Sequence, residues 1–259
     1  MATHVNLSDG VSIPLIGFGT WQLTGDDAYN GVRTALETGY RHIDTASAYR
    51  NEERVGAAIR DSGAAREDVF ITTKLPPGNA GRERETLEES LRDLGVDYVD
   101  LWLVHWPPDG SARPETWKAF ISALEQGKAR SIGVSNYSVA QIDELIAATG
   151  RAPALNQIPW SPFRFDPALA VSLAPRGVAL EGYSPLRNSD LSDPVLTEIA
   201  SAHGKTPAQV ILRWHVDRSF VVIPRSKRAE RIRENFDIFD FSLSDDELRR
   251  LEELGTAAA

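Results

Sequence analysis

Short apolar runs rich in branched residues alternate along the chain with longer segments in which apolar residues return every three or four positions. The apolar runs, which predict strands, occupy residues 16–20, 42–45, 69–74, 99–105, 130–135, 154–158, 178–183 and 220–223. The helical patterns occupy residues 26–38, 52–62, 82–94, 113–126, 139–148 and 194–202. Many of the runs are apolar on both faces, which is typical of parallel strands covered by helices. The pattern therefore predicts a repeated βα unit.

The number of units and the chain length favour a (β/α)8 TIM barrel of the α/β class. The chain has 259 residues without a linker or a break in composition, and such a barrel needs roughly 250 residues. We therefore expect residues 1–259 to form a single domain. A doubly wound open sheet is the alternative, but no GxGxxG motif follows the first predicted strand. Two alternating runs, HVNL and VSIP, flank SDG and predict an N-terminal β-hairpin that plugs the N-terminal end of the barrel.

Composition and charge narrow the classes of function. The chain carries 28 Lys and Arg against 37 Asp and Glu, a net charge of -9, and no cysteine. Disulfide scaffolds and thiolate catalysis are excluded, and an acidic chain is not expected to bind nucleic acid or an anionic membrane with its whole surface. No apolar stretch reaches the roughly 18 residues of a membrane span. Since the start, MATHVNLSDG, lacks the layout of a secretory signal, we expect a cytoplasmic protein.

The predicted strands end on a ring of polar and ionisable residues. These are Asp44, Lys74, His105, Ser135 with Asn136, Gln157, Tyr183 and Arg225. Active sites of such barrels form at the carboxyl ends of the strands, so we expect these side chains to converge on one ligand. The five histidines do not cluster in the sequence, and we expect no metal site.

Lys74 ends an apolar run and is expected to be desolvated, so that it needs an anion, which Asp44 at a neighbouring strand end can supply. A plain buried ion pair is one interpretation, and a Schiff-base aldolase with Lys74 as the nucleophile is another. Tyr49 and His105 favour a third interpretation, a site that donates a proton to a substrate oxygen. An ammonium beside Tyr49 would lower its pKa from about 10, and a neutral His105 could donate a hydrogen bond to the oxygen that receives the proton. Such a site suits the reduction of a carbonyl by hydride.

The motifs around these residues resemble the aldo-keto reductase superfamily, in particular its bacterial diketogluconate-reductase-like branch. The resemblance rests on GYRHIDTASAYRNEERVGAAI, VFITTKL, VDLWLVHWP, RSIGVSNYS and ALNQI, and it extends from GFGTW to ENFDIFDFSLS. It implies a catalytic tetrad of Asp44, Tyr49, Lys74 and His105, with the tyrosine as general acid. The implied activity is the reduction of aldehydes or activated ketones to alcohols.

The resemblance also implies a nicotinamide nucleotide that lies extended across the barrel mouth. Ser135, Asn136 and Gln157 match the ligands of the carboxamide, and Tyr183 matches the aromatic residue on which the nicotinamide ring stacks. The other family positions at this end of the cofactor are Thr20, Trp21, Ser184 and Leu186.

A basic segment, IPRSKRAERIRENF, follows the last predicted strand. Residues 225–233 carry five cations against one anion, a balance of +4 that leaves -13 for the rest of the chain. A solvated helix face is one interpretation, but a basic loop and helix start at this place is a natural phosphate site. By resemblance, the adenosine end of the cofactor is held by Arg225, Ser226, Lys227, Arg231, Glu234 and Asn235. Because Arg225, Ser226 and Arg231 would contact a 2′-phosphate, we predict NADPH rather than NADH.

The substrate pocket is expected to be walled by Trp21 and Trp106 beside Tyr49 and His105. The family commonly extends past the last helix, whereas this chain stops at LEELGTAAA, which predicts an open pocket that tolerates many carbonyl compounds. The chain also departs from the family at IPWSPF, where a glutamate and a His-Pro pair are usual, and at Arg187, where a small residue is common. We expect a monomer with a small carbonyl compound as its partner. The alternative from the same fold is a non-catalytic NADP(H)-sensing subunit.

Overall fold

Eight parallel strands form a barrel in the computed structural model, which describes residues 3–187 and 189–256. The strands are β1 His4–Asn6, β2 Ser12–Pro14, β3 Phe18–Gly19, β4 His42–Asp44, β5 Phe70–Leu75, β6 Val99–Val104, β7 Ala129–Ser135, β8 Leu155–Pro159, β9 Ala179–Tyr183 and β10 Val221–Ile223. Strands β3 to β10 are hydrogen-bonded in chain order, and a parallel bridge between Ile16 and Val222 closes the ring. The predicted (β/α)8 barrel is confirmed.

Helices connect the strands and cover the outside of the barrel. They are α1 Asp26–Thr38, α2 Glu52–Asp61, α3 Glu83–Leu94, α4 Pro114–Glu125, α5 Val139–Thr149, α6 Pro167–Leu173, α7 Pro194–His203, α8 Pro207–Asp217, α9 Ala229–Phe236 and α10 Asp245–Thr256. Helix periodicity predicts neither α6 nor α8. Helix α6 is only seven residues long, and α8 is buried from Gln209 to Val216, including the polar Gln209 and Arg213. Within the described part of the chain, no helix is long and apolar enough to span a bilayer.

The first barrel strand, Phe18–Gly19, is shorter than the predicted residues 16–20, and at Gly17 its backbone passes close to its neighbours in the ring. A Cβ at Gly17 would lie 2.5 Å from the Nδ1 of His42. The N–H groups of Gly17 and Gly19 donate to the carbonyl oxygens of Val222 and Pro224 at 2.8 and 3.0 Å. These bonds continue the barrel beyond the two residues of β3.

The predicted N-terminal hairpin is confirmed, with β1 and β2 paired antiparallel. The hydroxyl of Ser131 donates to the carboxylate of Asp9, in the turn between the two strands, at 2.6 Å. Since Ser131 lies in the first half of β7, the hairpin covers the N-terminal end of the barrel. The opposite end, where the strands finish, is left for the site.

The contact between α2 and α3 gives a prediction for stability at Gly56. A Cβ at this position would lie 2.1 Å from the carbonyl oxygen of Leu94, a backbone atom that cannot swing aside. Gly56→Ala should therefore lower the free energy of unfolding by about 1–3 kcal/mol despite the better helix propensity of alanine. Urea unfolding checks this. Gly78→Ala is the matched control, since a Cβ there meets nothing within 4 Å, and equal stability of the two variants would contradict the prediction.

Candidate active site

A cavity of about 1010 Å³ opens at the carboxyl ends of the barrel strands. Most residues predicted for the site line it together: Trp21, Asp44, Tyr49, His105, Trp106, Ser135, Asn136, Gln157, Tyr183, Ser184, Leu186, Arg225, Ser226, Arg231, Glu234 and Asn235. The strands place those that stand at strand ends at one level because parallel neighbours end at the same edge of the sheet. The loops and α9 contribute the others. The convergence inferred from the strand ends is therefore present.

Lys74 and Asp44 form a fully enclosed ion pair at the floor of the cavity. The ammonium of Lys74 donates to both carboxylate oxygens of Asp44 at 2.7 Å and to the carbonyl oxygen of Thr45 at 2.8 Å. Lys74 is completely buried. All three N–H donors of the ammonium are thus used, which offsets the cost of burying its charge.

Tyr49 lies above this ion pair on the short 3₁₀ turn Ser47–Tyr49 that follows β4. Its ring centroid is 5.2 Å from the Nζ of Lys74 and 5.6 Å from the ring centroid of His105, which it meets edge to face. The hydroxyl of Ser47 donates to the carbonyl oxygen of Lys74 at 3.1 Å and fastens the turn to β5. The four residues of the predicted tetrad are therefore brought together.

The pKa of Tyr49 differs from the value expected from the sequence. Burial raises the pKa of Tyr49 above its usual value, and the charge of Lys74 opposes this rise without reversing it. The ammonium acts in the predicted direction, but desolvation of the tyrosinate outweighs it, so the net pKa of Tyr49 is raised in the protein alone. Burial and the charge of Lys74 lower the pKa of His105 to about 3, so its imidazole is neutral at physiological pH.

The residues predicted to bind the carboxamide form one hydrogen-bonded network on the cavity wall. The amide of Gln157 donates to Asp44 at 2.9 Å, and the hydroxyl of Ser135 donates to the carbonyl oxygen of Gln157 at 2.8 Å. The amide of Asn136 donates to the carbonyl oxygen of His105 at 3.1 Å, while its own carbonyl accepts from the hydroxyl of Tyr183 at 2.9 Å. The network connects this wall directly to the ion pair.

The basic segment contributes two cations to the far end of the cavity. Among the described residues, neither Arg225 nor Arg231 has a carboxylate partner, and Arg225 donates only to the amide oxygen of Gln22 at 2.8 Å. Both line the cavity beside the start of α9. Lys227 behaves differently, because its ammonium pairs with Asp27 at 2.8 Å and it does not line the cavity.

Thr20 is the second predicted cofactor residue that the structure does not bring to the cavity. It is fully buried, and its hydroxyl donates to the carbonyl oxygen of Asp44 at 2.9 Å. Conversely, the sequence prediction missed several lining residues, among them Gln22, Leu191 and the start of α8 at Thr206 and Pro207. The capping-box pattern TPAQ, which the structure shows to be formed, could have located that helix start.

The predicted substrate walls stand at the open rim of the cavity. Trp21 and Trp106 are 37% and 48% exposed, which is unusual for side chains of this size. The guanidinium of Arg187 lies 5.2 Å from the ring centroid of Trp21 and joins the loop after β9 to the loop after β3. Of the predicted short C-terminus, residues 257–259 lie outside the described part of the chain.

The segment IPWSPF, where the sequence differs from the family pattern, has a structural role. Pro159 ends β8, and Ser161 is buried, with its hydroxyl 3.3 Å from that of Ser189. Trp160 packs edge to face against Phe165 and Phe220. The segment therefore supports the outer side of the barrel instead of offering a carboxylate or an imidazole to the cavity.

Known proteins resemble this chain over nearly its whole length. An aldo-keto reductase of Mycolicibacterium smegmatis is 46% identical over 260 residues, with 99% of this chain and 94% of that protein covered. Morphine 6-dehydrogenase of Pseudomonas putida is 44% identical over 269 residues, with 97% of this chain and 91% of that protein covered. Methylglyoxal reductase DkgA of Escherichia coli is 41% identical over 256 residues, with 97% of this chain and 93% of that protein covered.

A solved structure and a family model also match this chain over nearly its whole length. The crystal structure of an aldo/keto reductase from Brucella melitensis superimposes with a TM-score of 0.94 at 45% identity, covering 98% of this chain and 100% of that one. A model of the aldo/keto reductase family matches residues 15–256. The chain therefore belongs to the aldo/keto reductase family.

Proposed function

We propose that this protein reduces aldehydes and activated ketones to alcohols with NADPH as the hydride donor, and that Tyr49 supplies the proton. The observation that carries the proposal is the arrangement at the cavity floor, where Tyr49 lies between the charged Lys74 and the neutral His105. Relatives named methylglyoxal reductase and morphine 6-dehydrogenase support a carbonyl or alcohol substrate.

The residues of the cavity suit a phosphorylated nicotinamide nucleotide. Arg225 and Arg231, which have no carboxylate partner among the described residues, offer two cations beside the first turn of α9, where backbone N–H groups favour an anion. At the other end, Asn136 and Gln157 present amide groups suited to a carboxamide. We infer that Arg225, Ser226 and Arg231 hold the 2′-phosphate, that Glu234 and Asn235 face the adenine, and that Tyr183 stacks on the nicotinamide.

The proton that the carbonyl oxygen receives comes from a residue of this chain. When bound, NADPH supplies a hydride from nicotinamide C4 to the carbonyl carbon. The carbonyl electron pair moves to the oxygen, which takes the proton of Tyr49, and burial keeps that hydroxyl protonated at neutral pH beforehand. Lys74 stabilises the tyrosinate that remains, and His105 donates a hydrogen bond to the same substrate oxygen.

The contacts of Lys74 argue against the aldolase alternative. A Schiff base needs a neutral amine with a free lone pair. The ammonium of Lys74 is buried against both oxygens of Asp44 and the carbonyl oxygen of Thr45. Burial lowers the pKa of Lys74, but the charges of Asp44 and Tyr49 outweigh burial, so the net pKa is raised. Lys74 is therefore held protonated and is a poor nucleophile.

Loss of NADPH absorbance in the presence of a panel of aldehydes and α-dicarbonyl compounds tests the proposal. We expect turnover of several members without one sharply preferred compound, because Trp21 and Trp106 form an exposed rim. Tight NADPH binding without turnover of any of them would favour the sensing subunit instead. A single cytoplasmic domain that acts as a monomer remains our prediction for the rest of the organisation.

The preference for NADPH gives a prediction at Arg231. Arg231→Ala should weaken NADPH binding about 10- to 100-fold, the effect of one charge-assisted hydrogen bond, and should change NADH binding far less. Fluorescence titration with both nucleotides measures the two dissociation constants. Arg228→Ala is the charge-matched control, since Arg228 is exposed and does not line the cavity. Wild-type protein that binds NADH as tightly as NADPH would reject the assignment.

A further inference from the structure

A second layer of polar side chains lies inside the barrel directly below the tetrad. Glu181 precedes Tyr183 by two residues on β9, and His42 precedes Asp44 by two residues on β4, so each points into the interior one level deeper. Glu181 and His42 are both completely buried. The Nε2 of His42 lies 3.9 Å from the carboxylate of Glu181 and shares a hydrogen bond of 3.0 Å with the hydroxyl of Thr72.

The carboxyl group of Glu181 is unusual because, among the described residues, neither of its oxygens has a hydrogen-bond partner. Gln157 is its register neighbour on β8; the amide of Gln157 donates to Asp44 at 2.9 Å, and its nearness to Glu181 lowers the pKa of that carboxyl less than burial raises it. A buried carboxylate without partners is costly, whereas a buried neutral carboxyl costs far less. The surroundings therefore favour the protonated form of Glu181.

The charged and titratable groups that face Glu181 come from two strands and are His42, Asp44 and Lys74. The strands on either side of β9 contribute the uncharged Gln157 and Val221 at this level. His215 of α8 lies against the other face of β9, close to Gly182 and hydrogen-bonded to the carbonyl oxygens of Ile211 and Trp160. Since burial and Lys74 keep the imidazole of His42 neutral, Lys74 is the one cation for two buried carboxyl groups within this part of the structure.

We propose that Glu181 is a positioning residue of the reductase site, which sets the acidity of Tyr49 through the shared ammonium of Lys74. The inference rests on the proposed function only in that Tyr49 is taken as the proton donor. When Glu181 is neutral, Lys74 is balanced by Asp44 alone and can stabilise the tyrosinate. When Glu181 is ionised, its negative charge opposes the tyrosinate, and Tyr49 keeps its proton to higher pH.

The ionisation of Glu181 determines how the pKa of Tyr49 changes with pH. Burial, with a further contribution from the charge of Asp44, raises the pKa of Glu181 to about 8. Glu181 is therefore neutral below this pH and becomes an anion above it. The ionisation should raise the pKa of Tyr49 in the pH range where loss of the tyrosine proton would otherwise end carbonyl reduction.

Glu181→Gln tests the proposal because glutamine keeps the shape of the side chain and cannot ionise. We expect the alkaline limb of kcat/KM for aldehyde reduction to move to lower pH by about one unit, so that activity relative to wild type falls by up to about tenfold above pH 9. Below about pH 7, the ratio of the two activities should not change with pH. A merely structural loss would instead lower activity by the same factor at every pH.

A second readout does not depend on turnover. Ultraviolet difference spectra of tyrosinate, with the Tyr49→Phe protein subtracted, follow Tyr49 itself, and Glu181→Gln should lower its apparent pKa in the same direction. If the wild type reduces no carbonyl compound, the proposed function fails, but this titration still decides the influence of Glu181 on Tyr49.

Two further variants complete the design. Glu181→Met also lacks the charge and has a similar volume, so it should move both titrations as glutamine does, and it replaces that variant if glutamine prevents folding. Glu83→Gln is the matched control, because Glu83 is another buried glutamate but lies on α3, where it accepts hydrogen bonds from the hydroxyl of Thr116 and the N–H of Gly81. The alkaline limb of this variant should stay in place. Unmoved activity and spectral titrations in the folded Glu181 variants would overturn the proposal.

Discussion

Tyr49→Phe is expected to lower kcat for carbonyl reduction by about 10²- to 10⁴-fold, the usual contribution of a general acid. The substitution removes only the hydroxyl, and the ring keeps its edge contact with His105 and its position over Lys74. The affinity for NADPH should therefore change little. Steady-state kinetics with an aromatic aldehyde, combined with a fluorescence titration of NADPH, separate the two effects.

Tyr29→Phe provides the matched control for this experiment. The hydroxyl of Tyr29 donates to Asp61 at 2.8 Å on the outer surface between α1 and α2, away from the cavity. This variant should retain the wild-type kcat. Near-wild-type turnover by Tyr49→Phe would show that another group supplies the proton, and it would remove the basis of the proposed mechanism.

Lys74→Met is expected to lower the free energy of unfolding by about 3–5 kcal/mol, in addition to removing activity. Methionine fills a similar volume, but it leaves the carboxylate of Asp44 buried without its ammonium. Among the residues that the structure describes, the carboxylate of Asp44 then keeps the hydrogen bond from Gln157 alone, which does not balance a full charge. Urea unfolding followed by circular dichroism gives the free energy, provided that the slope against urea concentration is unchanged.

A double variant distinguishes the unpaired charge from a loss of packing. Lys74→Met combined with Asp44→Leu removes both charges, and we expect it to recover much of the lost stability, as apolar replacements of buried ion pairs do. Lys118→Met is the surface control, because its pair with Glu115 is exposed to solvent and should contribute less than about 1 kcal/mol. A cost for Lys74→Met as small as that of Lys118→Met would contradict the prediction.

The position of three members of the tetrad could be predicted from the sequence because each stands at or just after the end of an apolar run. Asp44, Lys74 and His105 come at or just after the ends of three consecutive strands, and parallel strands of a barrel finish at one edge. Spacing along the chain was therefore enough to place them together. The same holds for the basic segment, which starts directly after β10.

Contacts between distant segments could not be predicted in this way. Lys227 and Arg231 are equivalent cations in the sequence, yet only Lys227 reaches Asp27, which lies about two hundred positions earlier. In helix α8, Gln209 and Arg213 are polar in the sequence, yet both are buried because they donate to the carbonyl oxygens of Asp237 and Ile238. In both cases the deciding neighbour comes from another part of the chain.

The sequence by itself determined the barrel, the end of the barrel that carries the site and most of the residues that meet there, since these follow from the repeat of apolar runs and from what stands at their ends. Only the tertiary structure decided the protonation of the site. Burial outweighs the charge of Lys74 at Tyr49, and burial together with the charge of Asp44 raises the pKa of Glu181. Desolvation and charge interactions depend on distances and burial, which the order of residues does not contain.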